Sequence, residues 1–504
     1  MPFTGSKGPN ADYSGFSPVE IFYLYFTAAV WDLLATETNR YANQFMEAKP
    51  GTYHWANNPT NINEMKAFVA ILLAMGIKRM PQYHMYWATS EMLINRFFPS
   101  IMPRNRFQAI LRFLHLADNL APRRPQAPRN KLVKLQPFLD ITLPAFYSAY
   151  NPGQQLSPDE SMLSFKGRLS FVQYMPKKPV KWGMKAFSLN ESKTGYTCAW
   201  QLYTGHRDYP AVAPRLLQPD PSQDHPTDLY VSGHVILDLI KGFENKGHTI
   251  YCDNYYTSPA LFLKLTQLGF GCCGTVKYAS KGLPEIANPK KNKLKKGDAP
   301  IFHSKAGQLC ISWFDKKCVN VLTTVGNCTT MNKRVRCRHG ENGHREVIKP
   351  NSIDDYNKFM GGTDPADQLF QYYNHGHRSV KWWKRVFFHL LEVCMVNAHI
   401  VYTSIPDNIK LTSLKFRQAV IRGLLEGWDR DQTRRGRRST RENLPARLTD
   451  RGHFPGRAAG YPDCIVCSDR SKKGGRKQTK ICCTKCDRPM CAVPCFARYH
   501  TNLH

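Results

Sequence analysis

The sequence predicts a multidomain α/β protein, with helical segments flanking a core of strands and helices and a small cysteine-rich module at the end. Three observations carry this reading. Apolar residues recur at helical spacing before residue 150 and again after Trp382. Between Leu156 and Val276 the order becomes three strands, helix, strand, helix, strand. Seven of the 16 cysteines lie between Cys464 and Cys495.

At 504 residues and 42% hydrophobic content the chain can bury a large core, which excludes a disordered protein. The formal net charge of +32, from 70 Lys+Arg against 38 Asp+Glu, predicts a polyanionic partner, nucleic acid first among them. No charged leader with an apolar core opens the chain, and the apolar run from Ile21 to Leu34 is interrupted by Asp32 and too short for a bilayer. A soluble intracellular protein with no membrane partner is expected, and in that compartment disulfides are not.

Ser17-Pro18-Val19-Glu20 is a capping box, and the helix it starts is expected to continue through Val30, Trp31 and Leu34. Asn61 to Glu64 starts a second in the same way, with Phe68, Val69, Leu72, Leu73 and Met75 on its apolar face and Gly76 at its end. Arg104 to Leu116 sets arginines against Phe107, Ile110 and Leu111, which suits a helix whose basic face meets phosphate or is simply solvated. A Pro/Arg-rich connector follows. Met162 to Phe165, Lys185 to Leu189 and Thr197 to Tyr203 read as an antiparallel meander, and Thr249 to Cys252 and Cys272 to Val276 as later strands, with helices at Val235 to Ile240 and Pro259 to Leu268. Residues 277–349 break into Lys/Gly-rich loops and short β-like pieces at Cys310 to Phe314 and Val319 to Thr323, the pattern of an insertion.

Three acidic stations stand out. Asp159-Glu160 is expected at the start of the first core strand and Asp253 at the end of a later one. Asp364 and Asp367 follow the glycine pair Gly361-Gly362. Each has an ordinary explanation: Asp364 as an N-cap before Pro365, the glycines as a turn with positive backbone angles or a close approach, Asp253 as a turn residue. Together they suit hard divalent ions, since two such ions about 4 Å apart hold the attacking and leaving oxygens of a phosphoryl transfer. Lys177, Lys178, Lys181 and Lys185 follow the first station, either as phosphate contacts or as a solvated cluster. Lys381-Trp382-Trp383-Lys384-Arg385 suits stacking on an unpaired base, with core packing of one tryptophan as the alternative.

The tail pairs Cys464 with Cys467, Cys483 with Cys486, Cys491 with Cys495 and His500 with His504. Eight ligands fit two tetrahedral Zn²⁺ ions in a cross-brace, the first and third pairs on one ion and the second and fourth on the other. His504, the terminal residue, is the ligand most open to replacement, and Cys482 is left over. Lys472, Lys473, Arg476, Lys477 and Lys480 in the first loop suit DNA binding or nuclear import.

Four segments resemble the piggyBac family of DNA transposases: Ser157 to Arg168, Tyr174-Met175-Pro176-Lys177-Lys178-Pro179, Tyr251 to Ser258, and Gly361 to Gln368. The resemblance implies an RNase H-like catalytic core with catalytic and metal-holding Asp159, Asp253 and Asp364, Asp367 as an additional catalytic acid, and Mg²⁺ or Mn²⁺ as cofactor. It implies cut-and-paste transposition through hairpinned DNA ends at TTAA, with double-stranded DNA as partner and Trp382 at the family's tryptophan position. A nuclear homodimer is expected. The implied domains are a helical dimerisation and DNA-binding domain (1–150 and 375–429), the core (151–276 and 350–374), a β-rich insertion (277–349), a linker (430–460) and a zinc-binding domain (461–504). Family members usually carry a longer acidic N-terminal extension, and this chain begins almost where the folded part is expected to start. Two other readings are a domesticated DNA-binding protein of this fold without catalysis and a zinc-dependent chromatin-interaction module on an inert body. The three acidic stations favour the enzyme.

Overall fold

The structure, a computed structural model, describes residues 2–51, 55, 58–121, 130–176, 178–205, 229, 231–336, 343–374, 379–429 and 452–501. It divides into two compact units, Met1–Trp428 and Asp429–His504.

The capping box at Ser17 forms, with Glu20 returning its carboxylate to the Ser17 N–H at 2.8 Å, but its helix α1 ends at Tyr23 (Pro18–Tyr23). A second helix, α2 (Ala28–Ala48), starts after Thr27 at ψ 169°, so the expected single helix is two. The break lets Phe22, Tyr25 and Phe26 all turn inward, with Phe22 stacked on Phe26 at 5.0 Å. Helix α3 (Ile62–Ile77) is buried almost all round. Asn61 caps it, while Glu64 turns away to pair with Arg106 of α4 (Arg104–Phe113), whose Nε lies 2.7 Å from the carboxylate. Gly76 lies at the helix end as expected, one residue before its last, but without the positive φ of a glycine stop. A Cβ there would sit 1.8 Å from the Tyr373 carbonyl oxygen, so the glycine exists for close approach.

After α5 (Gln136–Ser148), the first unit builds a nine-stranded sheet among the described residues. Its strands are β1 (Gln155–Ser164), β2 (Val172–Tyr174), β3 (Trp182–Glu191), β4 (Thr197–Leu202), β5 (Thr249–Cys252), β6 (Gly271–Thr275), β7 (Ile301–Lys305), β8 (Gln308–Phe314) and β9 (Cys318–Thr323). The order is β2-β3-β1-β5-β6-β9-β8-β7, with β4 beside β3. β1, β3 and β4 are antiparallel, whereas β1, β5 and β6 are parallel and reached through α6 (Val231–Leu239) and α7 (Pro259–Gln267). This is the RNase H-like arrangement. β7 to β9 continue the core sheet, through β9 against β6, while β10 (Thr330–Arg336) and β11 (His344–Pro350) form a separate hairpin.

Helices α8 (Asn351–Phe359) and α9 (Thr363–Tyr372) follow, then α10 (Trp382–Ser404) and α11 (Ser413–Leu424). α10 is long and apolar enough to cross a membrane, but 83% of its most apolar window is buried in the fold. It packs on α1, and α11 packs on α1 and α3, so the chain's early and late helices share one core. Arg417 of α11 and Glu392 of α10 form a bidentate pair in that core, with Arg417 Nη1 3.2 Å from Glu392 Oε1. Removing one partner of such a pair leaves a buried charge unpaired.

Substituting Gly76 with alanine is expected to destabilise the chain by about 1–3 kcal/mol, because the added methyl overlaps rigid backbone. Chemical denaturation checks this. An unchanged midpoint would show that the end of α9 does not press on α3.

Candidate active site and metal centre

The acids are positioned by a short parallel ladder. β1 and β5 pair only at Gln155↔Thr249 and Leu156↔Ile250. Asp159 and Asp253 each lie three residues beyond the last pair, so the two strands bring their acids level where they part. In α/β sheets, such carboxyl-end crevices are the usual place for ligands. Asp159 is thus the fifth residue of β1, not at its start as expected, because the strand begins at Gln155.

Alternation explains the sequence there. The Gln155 carbonyl accepts from Ser192 N–H on the β3 side, so Pro158 and Glu160 turn their backbone groups to the unpaired edge. Proline loses no ladder bond at that edge. Glu160 has its N–H bonded to Asp159 Oδ1 at 2.7 Å and its carbonyl to Lys178 Nζ at 2.9 Å.

The third station rides on α9. The expected N-cap at Asp364 does not form: the helix begins at Thr363, with no side-chain cap, after a single 3₁₀ turn at Met360–Gly362. Nor do the glycines take positive angles, Gly361 having φ −80° and Gly362 φ −60°. Close approach is what they provide. A Cβ on Gly362 would lie 3.0 Å from Ser192 Cα and 3.2 Å from Ser157 Cβ. The Ser157 hydroxyl donates to the Met360 carbonyl, and Asn190 Nδ2 donates to Thr363 Oγ1 at 2.7 Å. At the far end, Arg79 caps the helix on the Tyr372 carbonyl at 2.7 Å. Held this way, α9 leaves Asp364 exposed and half-buries Asp367.

The electrostatics show which groups converge. Burial raises Asp159 to about 7; Lys178 opposes this, while Glu160 and Asp253 add to it. Burial likewise raises Asp253, and raises Asp367 to about 6 against Lys178 and with Asp364. Lys178 Nζ sits 3.9 Å from Asp159 Oδ2 and 3.7 Å from Glu160 Oε1, inside the cluster. Lys185 is buried, 4.5 Å over the Tyr255 ring, and Glu160 accepts from Tyr256 Oη at 3.1 Å. Asp253 Oδ1 is fixed by the Tyr255 N–H at 2.9 Å. Asp159, Glu160, Asp253 and Asp367 thus share the field of Lys178, the first three also that of Lys185, and this surplus of hard oxygen donors fits a divalent cation such as Mg²⁺.

Of the other expected DNA contacts, Lys181 is exposed and Lys177 lies outside the described residues. Trp383 is the core tryptophan, 4.7 Å from His115, whereas Trp382 is half-buried edge-on to Phe171 at 5.4 Å. Lys384 is buried on the Arg112 carbonyl at 3.3 Å, and burial brings it down to about 7.

The second unit contains β12 (Pro455–Arg457), β13 (Ile481–Cys483) and α12 (Cys495–Thr501). Two groups have all their donor atoms within 4.8 Å of one another: Cys464, Cys467, Cys491 and Cys495, and His453, Cys483, Cys486 and His500. His453 Nδ1 lies 3.3 Å from Cys483 Sγ and 3.2 Å from Cys486 Sγ, in the place expected of His504, which lies outside the described residues. His500 bonds Phe496 O through Nδ1 at 2.8 Å, which leaves Nε2 to face Cys486. Burial works against ionisation of Cys483, but the Cys486 and Lys485 N–H groups and His453 outweigh it and hold the thiol at about 6. Thiolates and imidazoles in fours suit tetrahedral zinc. Nothing in the sequence pairs His453 with another ligand, and its signal is only that it precedes the strand that ladders with Cys483.

For an acid with a raised folded pKa, the stabilising contribution is present below the ordinary value near 4 and is lost as pH rises through the folded value. In divalent-free buffer the protein should therefore lose stability from about pH 4 to about pH 7 at Asp159, and Asp159→Asn should lose less over that window. Parallel melts of the two proteins would expose the reading as wrong if their pH slopes matched. In the second unit, His453→Ala should lower bound zinc from two equivalents to about one by elemental analysis. Retention of both would exclude His453 as a ligand.

Residues 17–399 match a family model described as Transposase IS4, and residues 460–501 match one described as a DDE_Tnp_1-like zinc finger. Human piggyBac transposable element-derived protein 3 is 26% identical over 498 residues, covering 96% of this chain and 76% of the relative. Human piggyBac transposable element-derived protein 2 is 25% identical over 462 residues, covering 90% and 72%. The cryo-EM structure of a piggyBac transposase synaptic complex with hairpin DNA shares the fold, with a TM-score of 0.71 at 22% identity over 96% of this chain and 97% of that one. With a family match over most of its length and relatives along nearly all of it, the chain belongs to the transposase IS4 family as a piggyBac-type transposase.

Proposed function

We propose that the chain is an active DNA transposase that cuts and rejoins DNA at TTAA by metal-dependent phosphoryl transfer through hairpinned ends. The observation that carries this is the meeting of acids from β1 and the end of β5 around Lys178, with Asp367 of α9 in the field of the same ammonium group. A non-catalytic protein has no need for that crowding of acids.

Asp159, Asp253 and Asp364 would hold Mg²⁺ or Mn²⁺, with Asp367 as the buried acid beside them. When bound, the ions supply charge neutralisation at the scissile phosphate and activation of the attacking hydroxyl. The chain's own part is orientation. The Tyr255 N–H aims Asp253, Tyr256 holds Glu160, and the glycine contact and Arg79 fix the helix that presents Asp364 and Asp367. Exposed Lys181 and half-buried Trp382 would meet the DNA, a role also assigned to Lys177, which lies outside the described residues.

The DNA partner is supported by the net charge of +32 and by the solved relative's complex with hairpin DNA. The same reading has the protein nuclear, dimeric through its helical part, and carrying two Zn²⁺ in the second unit. Exposed Lys472, Lys473 and Lys477 of that unit would add phosphate contacts.

The test is excision of a TTAA-flanked element carrying cognate ends in cells. Wild-type protein should excise it, and Asp253→Ala, Asp364→Ala and Asp367→Ala should fall to background. No excision by wild type would favour the non-catalytic DNA-binding reading, and excision by the variants would reject the acid assignments.

A further inference from the structure

Lys178 stands in a sequence context that suits a phosphate contact, yet its ammonium group points into the protein. The hairpin between β2 and β3 closes with Met175 N–H on the Lys181 carbonyl at 2.8 Å and Lys178 N–H on the Met175 carbonyl at 3.2 Å. Pro176 and Pro179 stiffen this loop on both sides. The loop is therefore built to deliver Lys178 to one place. There, Nζ donates to the Glu160 carbonyl at 2.9 Å and lies 3.7 Å from Glu160 Oε1 and 3.9 Å from Asp159 Oδ2, with Asp253 and Asp367 in its field. Of these contacts, only the carbonyl lies within direct hydrogen-bond range. The carboxylate distances are those of a charge balanced among several acids.

We propose that Lys178 is the internal counter-ion of the acidic site: it holds Asp159, Glu160, Asp253 and Asp367 together until a divalent cation takes over their charge, and is then released to a DNA phosphate. This rests on the function proposed above and adds a coupling to it. The ammonium group and the cation compete for the same carboxylates, so metal loading frees a positive charge at the place where the DNA backbone must lie. Metal and DNA then bind cooperatively through one side chain, and by linkage each strengthens the other by the same factor. Lys185 cannot serve this way, being buried over the Phe187 and Tyr255 rings at 4.7 and 4.5 Å. Lys178 is a positioning residue here, acting through the acids and not on the reacting atoms.

The experiment measures Mn²⁺ binding by titration calorimetry on the zinc-loaded full chain, without DNA, for wild type, Lys178→Met, Lys178→Arg and Asp253→Ala. Removing the competing charge should tighten Mn²⁺ binding by Lys178→Met about tenfold, while Lys178→Arg stays near wild type. The melting temperature of metal-free Lys178→Met should fall, and its gain on adding Mn²⁺ should exceed the wild-type gain. In a second arm, Mn²⁺ should strengthen binding of a hairpin-ended duplex oligonucleotide to wild type and to Lys178→Arg, but not to Lys178→Met. Equal Mn²⁺ affinity for wild type and Lys178→Met would overturn the counter-ion, as would weaker binding by the methionine variant. Mn²⁺-strengthened DNA binding that survives in Lys178→Met would overturn the release. Wild-type Mn²⁺ binding that Asp253→Ala leaves intact would instead sink the acidic metal site, and with it the proposed function.

Discussion

A parallel ladder two residues long, between β1 and β5, is the constraint on which the rest of the first unit depends. A longer ladder would consume the backbone groups of Pro158 and Glu160 that face this edge and close the crevice. A shorter one would leave Asp159 and Asp253 without a common register. Because the strands separate after Leu156 and Ile250, the acids come level while the edge of β1 stays free for side chains to complete. Asp159 and Lys178 take that role at Glu160, so the groups that finish the sheet edge also make up the acidic cluster.

Against this fixed pair the third station is set by steric contact. Gly362 lies close against the Ser192 backbone and the Ser157 side chain, and a Cβ on Gly195, at φ +77°, would lie 3.2 Å from the Ala366 nitrogen. These contacts leave α9 little freedom to slide or turn. Fixed dipoles and charges of this kind need no rearrangement when charge develops at a reacting phosphate, which is the main way such sites work. The counterpart is the cost of burying carboxylates, which raises Asp159 and Asp367, with Glu160 and Asp253 adding repulsion at Asp159 and Asp364 at Asp367.

Much of this was legible in the residues, for identifiable reasons. The apolar run Thr249 to Cys252 ending in an acid fixed Asp253, and the Cys spacings fixed the first metal group and most of the second. The front half of β1 was hidden because proline and two acids are poor strand formers, tolerated only where tertiary structure leaves an edge unpaired. The break between α1 and α2 was masked by aromatic residues that suit either one buried helix or two. That β9 joins β6 could not be read, since Thr323 and Cys273 are neighbours only through the sheet. The inward turn of Lys178 was likewise beyond pattern: a lysine after a proline reads the same whether its loop folds back or reaches out.

His453 is separated from Cys464 by the strand β12, which ladders with β13 through Pro455↔Cys483. The metal group and the small sheet are thus one cooperative object, closed by a residue that precedes the zinc-finger match at 460–501. A chimera that grafts this unit at the boundary suggested by sequence similarity would inherit seven donors and a missing strand. Joined before Gly452, the same graft would carry its whole coordination sphere with it.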